Sequence, residues 1–291
     1  MRRKEQRAAF GACHASVPAT LFAGILALTM FCVQPVLVAI SLAGALAFSV
    51  LARGGRATLA GLRWQLPMLA LVCLANPFFS ASGSTLLLRL GPVCVYLESL
   101  AYGAVMGALM VAVILWFEGA AAVLTQDRLL GLAHGRAASI SLVISMAAQL
   151  MPQMLRRARG VEASLAACTA AGPRPGPRDR LTRESGQLMG WALEDSLERA
   201  DAMRARGWES GARRTSYRPD VLRESDAARL CGIVLALAAC ALLAAAACAQ
   251  WRFYPTMPSL LAWWGYVPYA ALMFLPAGAA LSERLRWRGL E

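Results

Sequence analysis

Arg159 and Arg206 occupy the same place in two copies of one tetrapeptide, Arg-Ala-Arg-Gly, at Arg157–Gly160 and Arg204–Gly207. In each copy an alanine (Ala158, Ala205) precedes the arginine and a glycine (Gly160, Gly207) follows it. Small flanking residues let another backbone come close. A guanidinium presented this way pairs bidentately with a carboxylate. Two equivalent arginines predict two equivalent docking points, hence a paired partner. The same arginines could instead rest on anionic lipid, and the chemistry alone leaves both readings open.

Other reactive residue types are sparse. Glu98 is the one carboxylate set well inside an apolar run. A carboxylate at the centre of a bilayer costs about 2.5–3.5 kcal/mol on insertion scales. No second acid lies nearby for a proton relay, so Glu98 is expected to hold helices together by hydrogen bonding. The chain has eight cysteines and two histidines. No cysteines form a Cys-x-x-Cys pair, and most lie in apolar runs, where they read as small hydrophobes. His14 and His134 have no second ligand at helical spacing, so no metal site is expected. No Gly-x-x-x-x-Gly-Lys-[Ser/Thr] sequence occurs, which places any nucleotide site outside this chain. The polar residues do not cluster as an enzyme site would require.

The elements that must position these residues are membrane helices. Hydrophobic residues make up 58% of the 291 and charged residues 16%, against roughly 25% charged in soluble domains. Ser16–Ala52, Trp64–Leu88 and Leu230–Gln250 hold no Asp, Glu, Lys, Arg or His. About 20 apolar residues cross the roughly 30 Å hydrocarbon layer. Gln34-Pro35 should divide the first stretch, because proline lacks a donor and restricts its predecessor. The resulting spans are Val17–Cys32, Pro35–Leu51, Trp64–Phe79, Pro92–Phe117, Leu230–Gln250 and Leu260–Leu281. The first is too long an apolar run, with its continuation, for a cleaved signal.

Ala137–Leu155 differs from these spans. Ser141, Ser145, Gln149 and Gln153 recur every four residues and make a polar stripe, as on an interfacial amphipathic helix. This first helix is expected to end near the Arg156–Glu162 cluster. A second starts near Glu184, with Met189, Leu193, Leu197 and Ala200 as its apolar stripe and Gly207 as its C′ residue. The net charge of +12 falls mainly in connecting segments, as the positive-inside rule requires. It lacks the aromatic interleaving of a nucleic-acid surface. The expected protein is therefore an all-α, multi-pass plasma-membrane protein with both termini cytoplasmic. It divides into residues 1–136 with about four spans, a cytoplasmic helical region 137–229, and a two-span hairpin 230–291.

Several stretches, taken in order, resemble the T component of energy-coupling factor transporters, ABC-type importers of vitamins and transition-metal ions. Asn76 and Pro77 in "ANPFF", with "SGST" at Ser82–Thr85, are similar to the family's Asn-Pro segment and Gly-x-Thr loop. "YLESLAYGAVMG" at Tyr96–Gly107 resembles its Glu-Ser-x-x-Tyr-Gly span, which brings in Glu98, Tyr102, Gly103 and Gly107. "QLMPQMLRRARG" and "SLERADAMRARG" resemble its two coupling helices. The resemblance covers most of Leu62–Gly207. It implies that Arg159 and Arg206 dock into two cytoplasmic ATPases, and that ATP and Mg are bound there and not by this chain. It also implies a membrane-embedded S component that captures substrate. Gly103 and Gly107 have the spacing for close helix approach, either within the chain or to that apolar partner. The competing readings are an ordinary ABC permease that forms the substrate path itself and, further off, an integral-membrane enzyme.

Overall fold

The computed structural model describes residue 10 and residues 13–79, 85–90, 93–125, 128–129, 131, 138–168, 176–208, 210–211, 222–251, 253 and 263–288. The basic tip 1–7, most of the Gly-x-Thr loop (82–84), Asp127, His134, the proline-rich break 169–175 and the connection 254–262 lie outside them. Among the described residues there are eight helices: α1 (Ser16–Phe31), α2 (Pro35–Arg53), α3 (Gly55–Phe79), α4 (Leu97–Val123), α5 (Ala138–Cys168), α6 (Pro177–Ala205), α7 (Glu224–Ala249) and α8 (Tyr266–Arg288). The chain forms two compact units, Met1–Leu129 with Val221–Glu291, and Leu130–Asp220.

Four helices of the first unit, α2, α3, α4 and α7, are long and apolar enough to cross a membrane. The 19 residues of α2 rise about 1.5 Å each, close to the roughly 30 Å of a hydrocarbon layer. The α1–α2 break falls at Gln34, with Pro35 as the first residue of α2, where a missing N–H costs nothing. The break between α2 and α3 is tighter than expected. It is a single residue, Gly54, at φ 93°, a conformation that favours glycine. Helix α3 therefore begins at Gly55 and not near Trp64, and Arg56 and Arg63 ride on its early turns.

A second difference lies ahead of α4. Leu86–Leu90 and Val93–Tyr96 pair as an antiparallel hairpin, β1–β2, where a plain connection and the start of a span were expected. Pro92 cannot donate within a helix, and Val93 and Val95 are β-branched, so extended backbone wins locally. The helix then starts at Leu97 and continues to Val123, past the expected end at Phe117.

The first unit has an apolar core and an apolar exterior. Its core holds the aromatic cluster Phe22, Phe48 and Trp116, with ring centroids 5.3–6.2 Å apart. Through it runs a buried polar thread. The Trp116 indole donates to Ser41 Oγ at 3.0 Å, Ser41 Oγ lies 2.8 Å from Thr29 Oγ1, and Thr29 donates to the Ile25 carbonyl at 2.8 Å. This ties α1, α2 and α4. Ser49 and Thr58 join α2 to α3 at 3.0 Å, and Arg53 pairs with Glu118. Meanwhile Leu59, Leu71, Leu74 and Phe78 of α3 and Leu235 and Leu242 of α7 are exposed. An apolar exterior around a hydrogen-bonded polar thread suits lipid as solvent. This is the pattern of an α-helical membrane protein.

The second unit is two long helices, α5 of 31 residues and α6 of 29. Helix α6 starts at Pro177, two turns before the expected Glu184, because proline is preorganised at N1. Helix α5 continues through Gly160 to Cys168. The arginine cluster thus does not end it, since arginine and alanine are good helix formers and one glycine costs only about 1 kcal/mol.

Candidate functional site

Two groups of the singled-out residues can be placed. The first is the seam between α3 and α4. Asn76 Nδ2 donates to the Ser99 carbonyl at 2.7 Å, and the Cys73 thiol donates to the Leu100 carbonyl at 3.6 Å. Pro77 lies within α3 and is buried. Its missing N–H leaves the Cys73 carbonyl without its usual helical donor. Gly103 sits against that turn: a Cβ there would lie 2.9 Å from the Cys73 carbonyl oxygen and 2.9 Å from Asn76 Cβ. At Gly107 a Cβ would meet Leu69 at 3.1 Å. The Gly103–Gly107 pair therefore serves contact within the chain. Tyr102 packs edge-on to Phe253, 5.1 Å between centroids.

Glu98 is 4% exposed, in the first turn of α4. Its Oε1 accepts from Thr85 Oγ1 at 2.7 Å and from the Thr85 backbone N–H at 3.2 Å. Thr85 is the last residue of the Gly-x-Thr loop. The carboxylate pins the entry of the β1–β2 hairpin to the start of α4, and the Leu97 N–H donates back to the Thr85 carbonyl at 3.1 Å. Sequence spacing offers no way to pair Glu98 with Thr85, because the hairpin that brings them together has no clear local pattern.

The second group is the helix pair of the second unit. Arg206 caps α6, and Gly207 follows at φ 83°. The Trp208 N–H donates to the Met203 carbonyl at 3.0 Å and Gly207 N–H to Arg204 at 2.9 Å, a left-handed glycine cap that ends the helix sharply. Arg159 and Gly160 instead lie inside α5, so the two triplets differ in local structure. Both arginines, Gly160, Ala205 and Gly207 are exposed, and Ala158 is half-buried. Among the described residues neither Arg159 nor Arg206 forms an ion pair.

Their neighbours, by contrast, are consumed in holding α5 to α6. Arg157 stacks over Trp191 at 4.7 Å. Arg199 bonds Gln153 of α5 and pairs with Asp195 at 2.6 Å. These groups line a polar cleft of about 340 Å³ with Arg156. Arg180 pairs with Glu162 of α5 and, at 2.7 Å, with Glu184. The Glu184 hydrogen bond, then its charge and that of Glu162, hold Arg180 above the usual arginine range. So the joint is mixed: these polar contacts lie beside half-buried Met154, Val161 and Leu165 of α5 and Leu188 and Ala192 of α6. The apolar stripes are left outside: Met151 and Leu155 on α5, Met189, Leu193 and Leu197 on α6, each 60–70% exposed.

No protein-family model matches this chain, and no curated protein matches it.

Proposed function

We propose that this protein is the transmembrane scaffold and energy-coupling subunit of an energy-coupling factor importer for a vitamin or transition-metal ion. In this reading α1–α4, α7 and α8 give six spans with both termini cytoplasmic, and α5 and α6 are the coupling helices. Arg159 and Arg206 dock into two cytoplasmic ATPases, which bind and hydrolyse ATP with Mg. A separate S component captures substrate in the bilayer and sets its identity. This chain does no chemistry itself.

The observation that carries the proposal is the division of labour among arginines in the second unit. Arg157, Arg180 and Arg199 are spent on the α5–α6 joint, while Arg159 and Arg206, each between an alanine and a glycine, are exposed without an ion pair among the described residues, as are Arg156, Arg178 and Arg183. An exposed guanidinium flanked by alanine and glycine is ready for a carboxylate supplied by a partner. Once docked and desolvated, removing such a partner typically costs about 3–5 kcal/mol, stiff enough to pass ATPase closure to the helices. The exposed apolar stripes offer a surface for the membrane-embedded subunit.

The test is affinity purification from detergent-solubilised native membranes, comparing wild type with Arg159→Glu/Arg206→Glu. Wild type is expected to carry two ATPase subunits and a small membrane protein. The double variant should lose the ATPases alone. A native mass with two copies of this chain per ATPase pair would instead indicate an ordinary permease. Absence of any ATPase from both samples would return the arginines to a lipid-anchoring role.

A further inference from the structure

At one end of the first unit, α1, α7 and α8 part to leave a cleft of about 500 Å³. Its mouth carries Arg229, in the second turn of α7, and Glu283 and Arg286 near the end of α8. Its walls further in are Ile233, Ala236, Leu272 and Leu275. From Arg229 to Ala236 is about 10 Å along α7, and from Arg286 to Leu275 about 16 Å along α8, at roughly 1.5 Å per residue. The apolar part is thus about as deep as one leaflet's share of a roughly 30 Å hydrocarbon layer.

The charges at the mouth favour an anion. Arg229 Nη1 lies 3.3 Å from Asp226 Oδ1 and 3.1 Å from Cys13 Sγ. Glu283 accepts a hydrogen bond from the Phe10 backbone and faces Arg128 and Arg286. Of the residues lining the cleft, two guanidiniums, Arg229 and Arg286, therefore face one carboxylate, Glu283, while Arg128 outside the lining donates to the Phe10 carbonyl at 3.1 Å. Gly232 leaves the mouth open, since a Cβ there would meet nothing within 4 Å.

We infer that this cleft is a binding site for one anionic phospholipid, its phosphate at Arg229 and Arg286 and an acyl chain along α7 and α8. A basic pocket between membrane helices, continuous with an apolar groove, recognises both halves of such a molecule. The inference needs the chain to lie in a bilayer and does not depend on ATPase docking.

The test is native mass spectrometry of the full chain in neutral detergent, titrated with phosphatidylglycerol or with phosphatidylcholine of identical chains. Wild type should bind phosphatidylglycerol roughly tenfold more tightly. Arg229→Gln/Arg286→Gln should abolish that preference, and Arg229→Lys/Arg286→Lys should keep most of it. Gly232→Leu, whose Cβ meets no neighbour within 4 Å, narrows the mouth and should weaken binding of both lipids. Equal affinity of wild type for the two headgroups would overturn the inference, as would a preference that survives the glutamine variant. Glycerol phosphate alone binding as tightly as the lipid would also overturn it, by showing a free-phosphate site. Should the glutamine variant fail to fold, undiminished lipid binding by Gly232→Leu overturns the inference by itself.

Discussion

Glu98 shows how a carboxylate is kept in an apolar protein. Two donors from one residue, Thr85, reach it, which lowers the cost of burial. Thr85→Val removes the hydroxyl while keeping the shape. It should cost about 1–3 kcal/mol, because a buried acceptor loses one of its donors. Thr85→Ser should cost much less. Thermal unfolding of the detergent-solubilised chain reads the difference, and equal melting of valine and serine variants would remove Glu98 from its pinning role. At Gly103 the constraint is steric. Gly103→Leu drives a side chain into the Cys73 carbonyl and should separate α3 from α4, visible as a large drop in the same melt. Glu98 and the small-residue spacing were both legible from residue type alone. Thr85 as the partner was not, because pairing across a hairpin depends on a register that no local pattern specifies.

Two glycines after equivalent arginines make opposite predictions at the scale of the element. Gly160 lies inside α5 with open space around it. Gly160→Ala should therefore stabilise the helix by about 0.5–1 kcal/mol. Gly207 holds φ 83° at the end of α6. Gly207→Ala forces a side chain into the left-handed region and should cost about 1–2 kcal/mol. Circular dichroism melts of the two variants should move in opposite directions; movement in the same direction would mean the triplets are alike in structure after all. The identity of the two tetrapeptides hid this difference. Helix ends depend on the downstream residues: Val161–Cys168 is a good helical run, whereas Arg206–Trp208 turn. Helix stripes likewise marked α5 and α6 as amphipathic. They did not say which residues make the joint, and here it mixes Arg157–Trp191 and Arg199–Gln153 with half-buried Met154, Val161 and Leu188.

For the molecule as a whole, the proposed orientation puts the second unit in the cytoplasm. Cys168 of that unit is exposed, while Cys32 and Cys240 of the first are buried. A variant keeping only Cys168 should react with a membrane-impermeant maleimide in inside-out vesicles and resist it in right-side-out ones. The reverse pattern would invert the topology and disfavour any cytoplasmic ATPase partner. A variant keeping only Cys240 should resist the reagent on both sides until the protein is denatured.

By itself the sequence determined that this is a helical, membrane-type chain and where its first two helices part, at Gln34-Pro35. Uncharged runs, proline and glycine act locally, and their consequences do not depend on distant partners. It also marked the residues with unusual chemistry: Glu98, the glycine pair and the two exposed arginines. Tertiary structure decided the rest. It brought Thr85 to Glu98, threaded Thr29, Ser41 and Trp116 through three helices, and opened the basic cleft between α1, α7 and α8. Those features join residues far apart in the chain. They arise from how helices pack around shared polar groups and small residues, information carried by three-dimensional complementarity and not by the spacing of residue types.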